Sequence, residues 1–389
     1  MIGFDIFRFG YMALFLGTHA VALIGMLREY AWDRRSRRPR PSAAEAEGEG
    51  LVSVLVPFRN EEERIGGLLE SLSRQDYPDV EYIFIDDFSS DRSPELVRAF
   101  VAGNRGAKLI TLRENPGPNR KQYAIARGIE AAGGNLLLFT DADCEVPPHW
   151  IRGMKDRMAD PAVAAIIAPV FKIPLGRFLF RQYQCFDHAV RYIYLMAGTG
   201  LGAAGGGFGN NLMLRREALD LVGGYEKVPP SPTEDAALVA FIRKAGDPRG
   251  LEIHSASGED VWVMTRGERT WASLVNQTLR WNNGGLFGPD IPTRLNFGLL
   301  MVTYTIGSIG MLLSPFFPGL WPLPAGIFLA MIMNVISVLG FFGPAMPGGK
   351  GLRKLAYIAE LVTAPLFFSM LTILGFAGVK ADWKGRQVK

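Results

Sequence analysis

The sequence predicts an α/β domain with an open, mostly parallel sheet, carried between apolar membrane helices at both ends. Apolar and charged residues segregate: residues 9–27 and nearly everything after Asn296 are apolar, while 28–294 holds most of the 42 basic and 38 acidic side chains. Within that charged middle, short β-branched runs alternate with stretches of helical period, the pattern of βαβ units. Acids gather at the ends of the predicted strands, where an open sheet places its ligands.

The composition excludes several classes. At 48% hydrophobic and 21% charged, the 389-residue chain is neither disordered nor collagenous. Two cysteines, Cys144 and Cys185, cannot staple a protein of this size. A formal charge of +4 gives no ground for a nucleic-acid partner.

A bilayer core needs about 20 apolar residues per helical span. Residues 9–27 supply the first, followed by Arg28, Arg34, Arg35, Arg37, Arg38 and Arg40. Charge behind the apolar run argues for an anchor rather than a cleaved leader. By the positive-inside rule the following domain is cytoplasmic and the protein a multi-pass protein of the inner (cytoplasmic) membrane. The expected divisions are an anchor at 1–32, a polar linker at 33–50, a sheet domain at 51–285 and a membrane region at 286–389 with about two or three transmembrane helices. Apolar runs at 295–315, 319–343 and 354–379 provide these helices; the last either crosses, which would put the basic tail KADWKGRQVK outside against the positive-inside rule, or is broken at Glu360 and Pro365, dipping in and returning, which is the preferred reading. His19 is expected near the end of a tilted helix.

In the middle domain, LVSVLVPF and EYIFIDD read as strands buried on both faces. NEEERIGGLLESLSRQDYP between them reads as a helix capped by Asn60, with acids in its first turn. A helix from Ser93 to Ala102, a strand AKLITLRE, a helix from Arg120 to Ala132 and a strand NLLLFTDAD follow. The strand ends carry Arg59-Asn60-Glu61, Asp86-Asp87 and Asp141-Ala142-Asp143.

VSVLVPFRNEEERI, YIFIDDFSSD, RKQYAIARGIEAAGGNLLLFTDADCEVPP, GFGNNLMLRREALDLVGGY, TEDAALVAFI and QTLRW follow one another in the order and rough spacing of family 2 glycosyltransferases. The sequence over 51–285 resembles that family, whose fold is GT-A, a Rossmann-like open sheet. The resemblance implies transfer of a sugar from a nucleoside-diphosphate sugar, a UDP-sugar in the first instance, with inversion at the anomeric carbon and with a divalent metal, Mg²⁺ or Mn²⁺.

It also implies roles for particular residues. Asp141 and Asp143, two apart after a strand, offer the hard oxygens such a metal prefers; alone they could be a turn or a helix cap. Asp86 and Asp87 fall where the family binds the base or ribose, although Asp87 with Ser89 and Ser90 could instead cap the next helix. Pro57, Arg59, Asn60 and Glu61 complete the nucleotide floor, and Lys121 reaches a phosphate, with a solvated helix start as the alternative for Arg120 and Lys121. Asp141 contacts the donor as well as the metal. Glu234 and Asp235 match the TED motif, in which Asp235 is the catalytic base and Glu234 belongs with the diphosphate and acceptor contacts; first-turn acids after a Thr233 cap are the plain alternative. Gln277, Arg280 and Trp281 match QxxRW, at i, i+3 and i+4 on one helix face, for diphosphate and acceptor; the same segment also reads as an amphipathic interfacial helix.

The glycine-rich stretch 198–209 lacks the preceding strand and following helix of a dinucleotide cradle, and reads as a close approach for the acceptor or a flexible gate. Residues 172–197 suit either an interfacial helix or an aromatic core helix. Cys144 reads as a buried small residue; His149, His188 and His254 show no ligand spacing. A lipid or lipid-linked acceptor is preferred to a growing polysaccharide, because the spans offer few polar groups to line a conduit. The competing functions are a processive polysaccharide synthase subunit, a catalytically silent nucleotide-sugar sensor or scaffold, and a metal-dependent nucleotidyltransferase. The last would want a basic triphosphate cradle where this chain has NEEER.

Overall fold

The structure, a computed structural model, describes residues 2–37, 50–114, 120–173, 179–229, 231, 233–287, 290–343, 346, 354–383 and 386–388. It divides into two compact units, one of residues 28–171 and 204–266, the other of residues 1–27, 172–203 and 267–389. Residues 172–203 and 267–285 belong to the second of these units. The expected linker lies outside the described residues over 38–49, and at 33–36 the chain is still helical.

The strands are β1 (Val52–Phe58), β2 (Val80–Asp86), β3 (Ala107–Thr111), β4 (Leu136–Phe139), β5 (Cys144–Glu145), β6 (Val163–Ile167), β7 (Val170–Ile173), β8 (Leu212–Arg215), β9 (Glu252–Ser255) and β10 (Val263–Arg266). The helices are α1 (Ile2–Ser36), α2 (Ile65–Ser73), α3 (Ser93–Gly103), α4 (Arg120–Ala131), α5 (Trp150–Arg157), α6 (Leu179–Gly200), α7 (Arg216–Leu221), α8 (Glu234–Gly246), α9 (Trp271–Phe287), α10 (Ile291–Leu313), α11 (Pro322–Phe342) and α12 (Lys354–Phe376).

The first unit is built on a seven-stranded sheet of order β3-β2-β1-β4-β8-β6-β9, with β5, β10 and β7 in a smaller sheet. Val54, Leu55 and Val56 are all fully buried, as are Ile83, Phe84 and Ile85. Successive strand residues point to opposite faces, so these runs are covered on both sides. The sheet is mixed, because β8 runs antiparallel to β4 and β6; LMLR is too short a run to announce that direction from sequence.

The registers make the opening. β1 pairs with β2 as far as Phe58↔Asp86 but with β4 only as far as Leu55↔Phe139. The strands on either side of β1 therefore part near Pro57, at the point where the strand order reverses, which is where open α/β sheets bind ligands.

One expected element differs. α2 begins at Ile65, with no acid in its first turn and no side-chain cap. Asn60 is not a helix cap: its φ is +55°, and its side-chain oxygen accepts from the Ser90 N–H at 2.8 Å. Residues 60–62 bind the loop after β2 instead.

The end of α1 belongs to this unit. Asp33 and Arg157 are both fully buried, with Arg157 Nε donating to Asp33 Oδ1 at 2.6 Å. Asp33 Oδ2 accepts from the Ser257 N–H and hydroxyl at 3.0 and 2.7 Å, and Arg157 Nη1 reaches Asp260 Oδ2 at 2.7 Å. One turn earlier, Glu29 accepts from the Ser255 N–H and pairs with His254 Nδ1 at 3.2 Å, while Trp32 stacks on the His254 ring with centroids 3.8 Å apart.

The second unit holds the apolar helices. Among the described residues three segments are long and apolar enough to cross a membrane, Gly3–Ser36, Ile291–Leu313 and Pro318–Phe342; the apolar part of α12, Leu361–Phe376, is shorter. The break expected at Pro365 is absent: α12 runs unbroken from Lys354 to Phe376 through that proline. Neighbouring helices can satisfy the carbonyl a proline leaves unpaired. The side chain of Glu360 lies outside the described residues. Beyond α12, Ala381–Trp383 and Arg386–Val388 pair as an antiparallel ribbon, with Ala381 buried against Leu279 and Leu371.

α6 is a core helix rather than an interfacial one, with Phe186, Ala189, Tyr192, Ile193 and Met196 buried. It touches α1 backbone to backbone: a Cβ on Gly200 would fall 2.1 Å from the Gly25 carbonyl oxygen, and one on Gly25 would fall 2.3 Å from that of Ala197. Small residues give this close approach in helix packing. His19 does not sit at a helix end. It is buried inside α1, bonded through Nδ1 to the Phe15 carbonyl at 2.8 Å and through Nε2 to Tyr194 at 2.7 Å, and Tyr194 donates to Asn334 at 3.2 Å.

Candidate active site

The acids predicted from the strand ends converge on the first unit's opening. Asp141 and Asp143 follow β4, with side chains 31% and 26% exposed. Lys121, on the first turn of α4, bridges Asp141 Oδ1 at 2.8 Å and Glu234 Oε1 at 3.3 Å. Burial alone would lower the Lys121 pKa, but Asp141 and Glu234, with Asp235 beyond them, raise it well above the usual lysine range. The lysine remains a cation among three acids.

Asp235 opens α8. Its Oδ2 accepts from the Gly209 N–H at 2.7 Å and its Oδ1 from the Ala236 N–H at 2.8 Å. Burial and then the charge of Glu234 push its pKa up, against the pull of Lys121 and the two N–H donors, to about 6. A helix N-terminus favours the ionised carboxylate; here desolvation is the larger effect. Thr233 occupies the cap position but makes no side-chain cap bond.

Asp143 Oδ2 lies 3.5 Å from Arg64 Nη1 and accepts from Thr265 Oγ1 at 3.3 Å. Thr265 reaches it because β10 pairs with β5, placing Thr265 opposite Cys144. Cys144 is fully buried, and burial followed by the charges of Asp143 and Asp141 raises its thiol pKa well above the usual range. It is an inert packing residue.

The nucleotide floor expected from β1 and β2 is a laced pair of loops. The Asn60 N–H donates to Ser89 Oγ at 3.1 Å, the Glu61 N–H to Ser93 Oγ at 2.7 Å and the Glu62 N–H to Asp91 Oδ2 at 3.1 Å. Asp86 and Asp87 are both buried. Asp86 Oδ1 accepts from the Ser89 N–H at 2.9 Å, closing its own turn, whereas Asp87 Oδ2 lies 4.0 Å from Arg59 Nη1. Pro57 is half-buried at the end of β1, where β4 has already parted from it.

Gln277, Arg280 and Trp281 lie on α9 in the second unit. The Trp281 ring is surrounded by α6 and the segment before it: Arg191 lies 5.2 Å and Lys172 5.9 Å from its centroid, and the His188 ring meets it edge-on at 5.3 Å. Gln277 and Arg280 are half-buried.

Residues 53–223 match the sequence model of glycosyl transferase family 2. The chain carries a family 2 glycosyltransferase domain. Its mixed α/β sheet is GT-A-like: the mannosyltransferase PcManGT from Pyrobaculum calidifontis, solved in complex with GDP-Man and Mn²⁺, shares the fold at a TM-score of 0.51 and 18% identity, over 95% of this chain and 100% of that one. Beta-monoglucosyldiacylglycerol synthase of Trichormus variabilis is 26% identical over 273 residues, 69% of this chain and 54% of that protein. The 4,4'-diaponeurosporenoate glycosyltransferase of Staphylococcus haemolyticus is 34% identical over 132 residues, 33% of this chain and 34% of that protein. The chain thus spans about half the length, or less, of these two relatives.

Sequence reasoning missed four contributors to the candidate site. Arg64 was read within an acidic run, and Thr265 lies 122 residues from Asp143 with no local mark. Ser93 was noted only as a helix start. Gly209 stood in a stretch read as an acceptor approach or a gate, yet its close neighbour is Asp235, since a Cβ there would fall 2.9 Å from the Asp235 Cβ.

Among the described residues no group of three or more His, Cys, Asp or Glu is placed to hold a metal ion alone. Two aspartates on one turn, both reachable by solvent, fit an ion that completes its shell with phosphate oxygens and water, as Mg²⁺ and Mn²⁺ do.

Proposed function

We propose that this protein transfers a sugar from a nucleoside-diphosphate sugar to a lipid or lipid-linked acceptor at the cytoplasmic face of the inner membrane, with inversion at the anomeric carbon and with Asp141 and Asp143 holding a divalent metal. The observation that carries this reading is Asp235, whose carboxylate is held by the Gly209 N–H next to Glu234, which shares Lys121 with Asp141.

In a single displacement the acceptor oxygen bonds to the anomeric carbon on the face opposite the diphosphate. The carbon–oxygen bond to the phosphate breaks and its electron pair leaves with the nucleoside diphosphate. The acceptor proton passes to Asp235. A base with a pKa near the working pH is ionised yet still basic enough to accept that proton. The metal, when bound, would neutralise charge on the leaving diphosphate, and Lys121 supplies a second positive charge beside it. Asp86, Asp87, Arg59, Asn60, Glu61 and Pro57 would hold the nucleoside, and Gln277, Arg280 and Trp281 the diphosphate and acceptor.

A lipid acceptor is supported by relatives named for monoglucosyldiacylglycerol and 4,4'-diaponeurosporenoate and by a 40% identical segment over 106 residues of an undecaprenyl-phosphate transferase from Aeromonas hydrophila. In the second unit His19 and Asn334 each bond Tyr194, which takes these three polar groups away from the lining of a conduit. Arg28, Arg34, Arg35 and Arg37 at one end of the first apolar helix support a cytoplasmic site.

The test is to incubate purified protein in detergent with a panel of nucleotide sugars and Mn²⁺ and to record nucleoside-diphosphate release. Asp143→Ala should weaken metal-dependent donor use, and Asp235→Asn should abolish transfer while leaving donor binding intact. Equal turnover by all three proteins would rule out the assignment.

A further inference from the structure

Asn60 and Phe88 are the non-glycine residues with positive φ among those described, at +55° and +60°. For Asn60 the region is tolerated by residue type, and its side chain is bonded to Ser90. Phe88 has neither excuse. Glycine would take this conformation without strain, yet the chain places an aromatic ring there and leaves it 38% exposed, so packing does not offset the strain. A strained, exposed side chain held by well-tied neighbours marks a functional position.

The surroundings say which function. Phe88 directly follows Asp86 and Asp87, and its neighbours Ser89 and Ser90 are bonded to Asn60, so the ring is fixed at the carboxyl ends of β1 and β2. Over the ring, 5.8 Å from its centroid, lies the Arg120 guanidinium. Arg120 precedes Lys121, which touches Asp141. An open π-face steadied by a planar cation, on the rim that carries these acids, is the chemistry that receives a nucleobase, whose own flat face stacks on aromatic rings and guanidinium planes.

We infer that Phe88, steadied by Arg120, stacks on the base of the donor nucleotide and sets the base-dependent part of donor affinity. The inference rests on the donor reading proposed above and adds the residue that meets the base.

The test is a calorimetric titration of the full chain in detergent, in Mn²⁺, with UDP, GDP and inorganic pyrophosphate, for wild type, Phe88→Gly, Phe88→Asn and Phe88→Trp. Glycine and asparagine both tolerate the backbone but lack the ring. For whichever nucleoside diphosphate wild type binds, both should weaken affinity about tenfold. Pyrophosphate affinity should stay unchanged, the unfolding temperature should be no lower, and Phe88→Trp should bind like wild type. Wild-type affinity for the nucleoside diphosphate in the glycine and asparagine variants, or an equal loss for pyrophosphate, would overturn the inference and leave the donor reading standing. A wild-type protein that binds pyrophosphate but neither nucleoside diphosphate would overturn both.

Discussion

The Gly209 N–H donates to the Asp235 carboxylate at 2.7 Å, and the two residues are so close that no side chain fits between them. A Cβ at 209 would meet the Asp235 Cβ at 2.9 Å and its Oδ2 at 3.1 Å. Gly209→Ala must therefore displace the carboxylate. Turnover should fall at least tenfold with little change in donor KM, because misplacing a reacting group by a fraction of an ångström is costly in rate. Steady-state kinetics with saturating acceptor separate the two parameters; an unchanged turnover number would remove Gly209 from the site.

Asp235 makes activity pH-dependent in a defined sense. The base must be ionised, so transfer should rise with pH through about 6 and level off above it. Stability should run the other way. Because the folded pKa is raised from 3.8, the folded state holds this proton more tightly than the unfolded chain, and the contribution is present below pH 3.8 and lost as pH rises through about 6. At neutral pH the ionised Asp235 thus lowers the stability of the fold. Asp235→Asn should unfold at a higher temperature than wild type while failing to transfer sugar. A lower unfolding temperature would contradict this account of Asp235.

Asp33 and Arg157 form a buried pair between the end of α1 and α5. Asp33→Ala leaves the guanidinium with only part of its partners and should destabilise the sheet domain by about 3–5 kcal/mol. Denaturant unfolding of the solubilised protein measures it, and a loss under ~1 kcal/mol, the range of surface pairs, would mean that the contact is open to water.

His254 gives a second pH effect. Burial lowers its pKa, but the carboxylates of Glu29 and Glu252 outweigh that and raise it above 6.5. Its contribution to stability is fully present below pH 6.5 and is lost as pH rises through the raised value. The difference in unfolding temperature between wild type and His254→Gln should therefore shrink between slightly acidic and alkaline pH. A difference that stays constant across that range would show that the imidazolium is not what Glu29 binds.

Much of this site was readable in advance because its parts are local. A buried β-branched run ends at a switch from apolar to acidic residues, so Asp86, Asp87, Asp141 and Asp143 could be placed at strand ends without coordinates. Lys121 and Asp235 stood at helix starts for the same reason. Asn60 was misplaced because an asparagine before a helical stretch reads as a cap, while its left-handed backbone and its bond to Ser90 depend on a loop thirty residues on.

By itself the sequence determined the α/β alternation, the apolar segments and the identity of the acids, since periodicity and residue chemistry are properties of neighbouring residues. Tertiary structure alone decided that Lys121 joins Asp141 to Glu234, that Gly209 and Thr265 address Asp235 and Asp143, that α12 passes unbroken through Pro365, and that Asp33 at the end of α1 is neutralised by Arg157 inside the sheet domain. Those contacts join residues far apart in the chain, and the strength of a buried charge or hydrogen bond depends on which groups folding brings within a few ångströms.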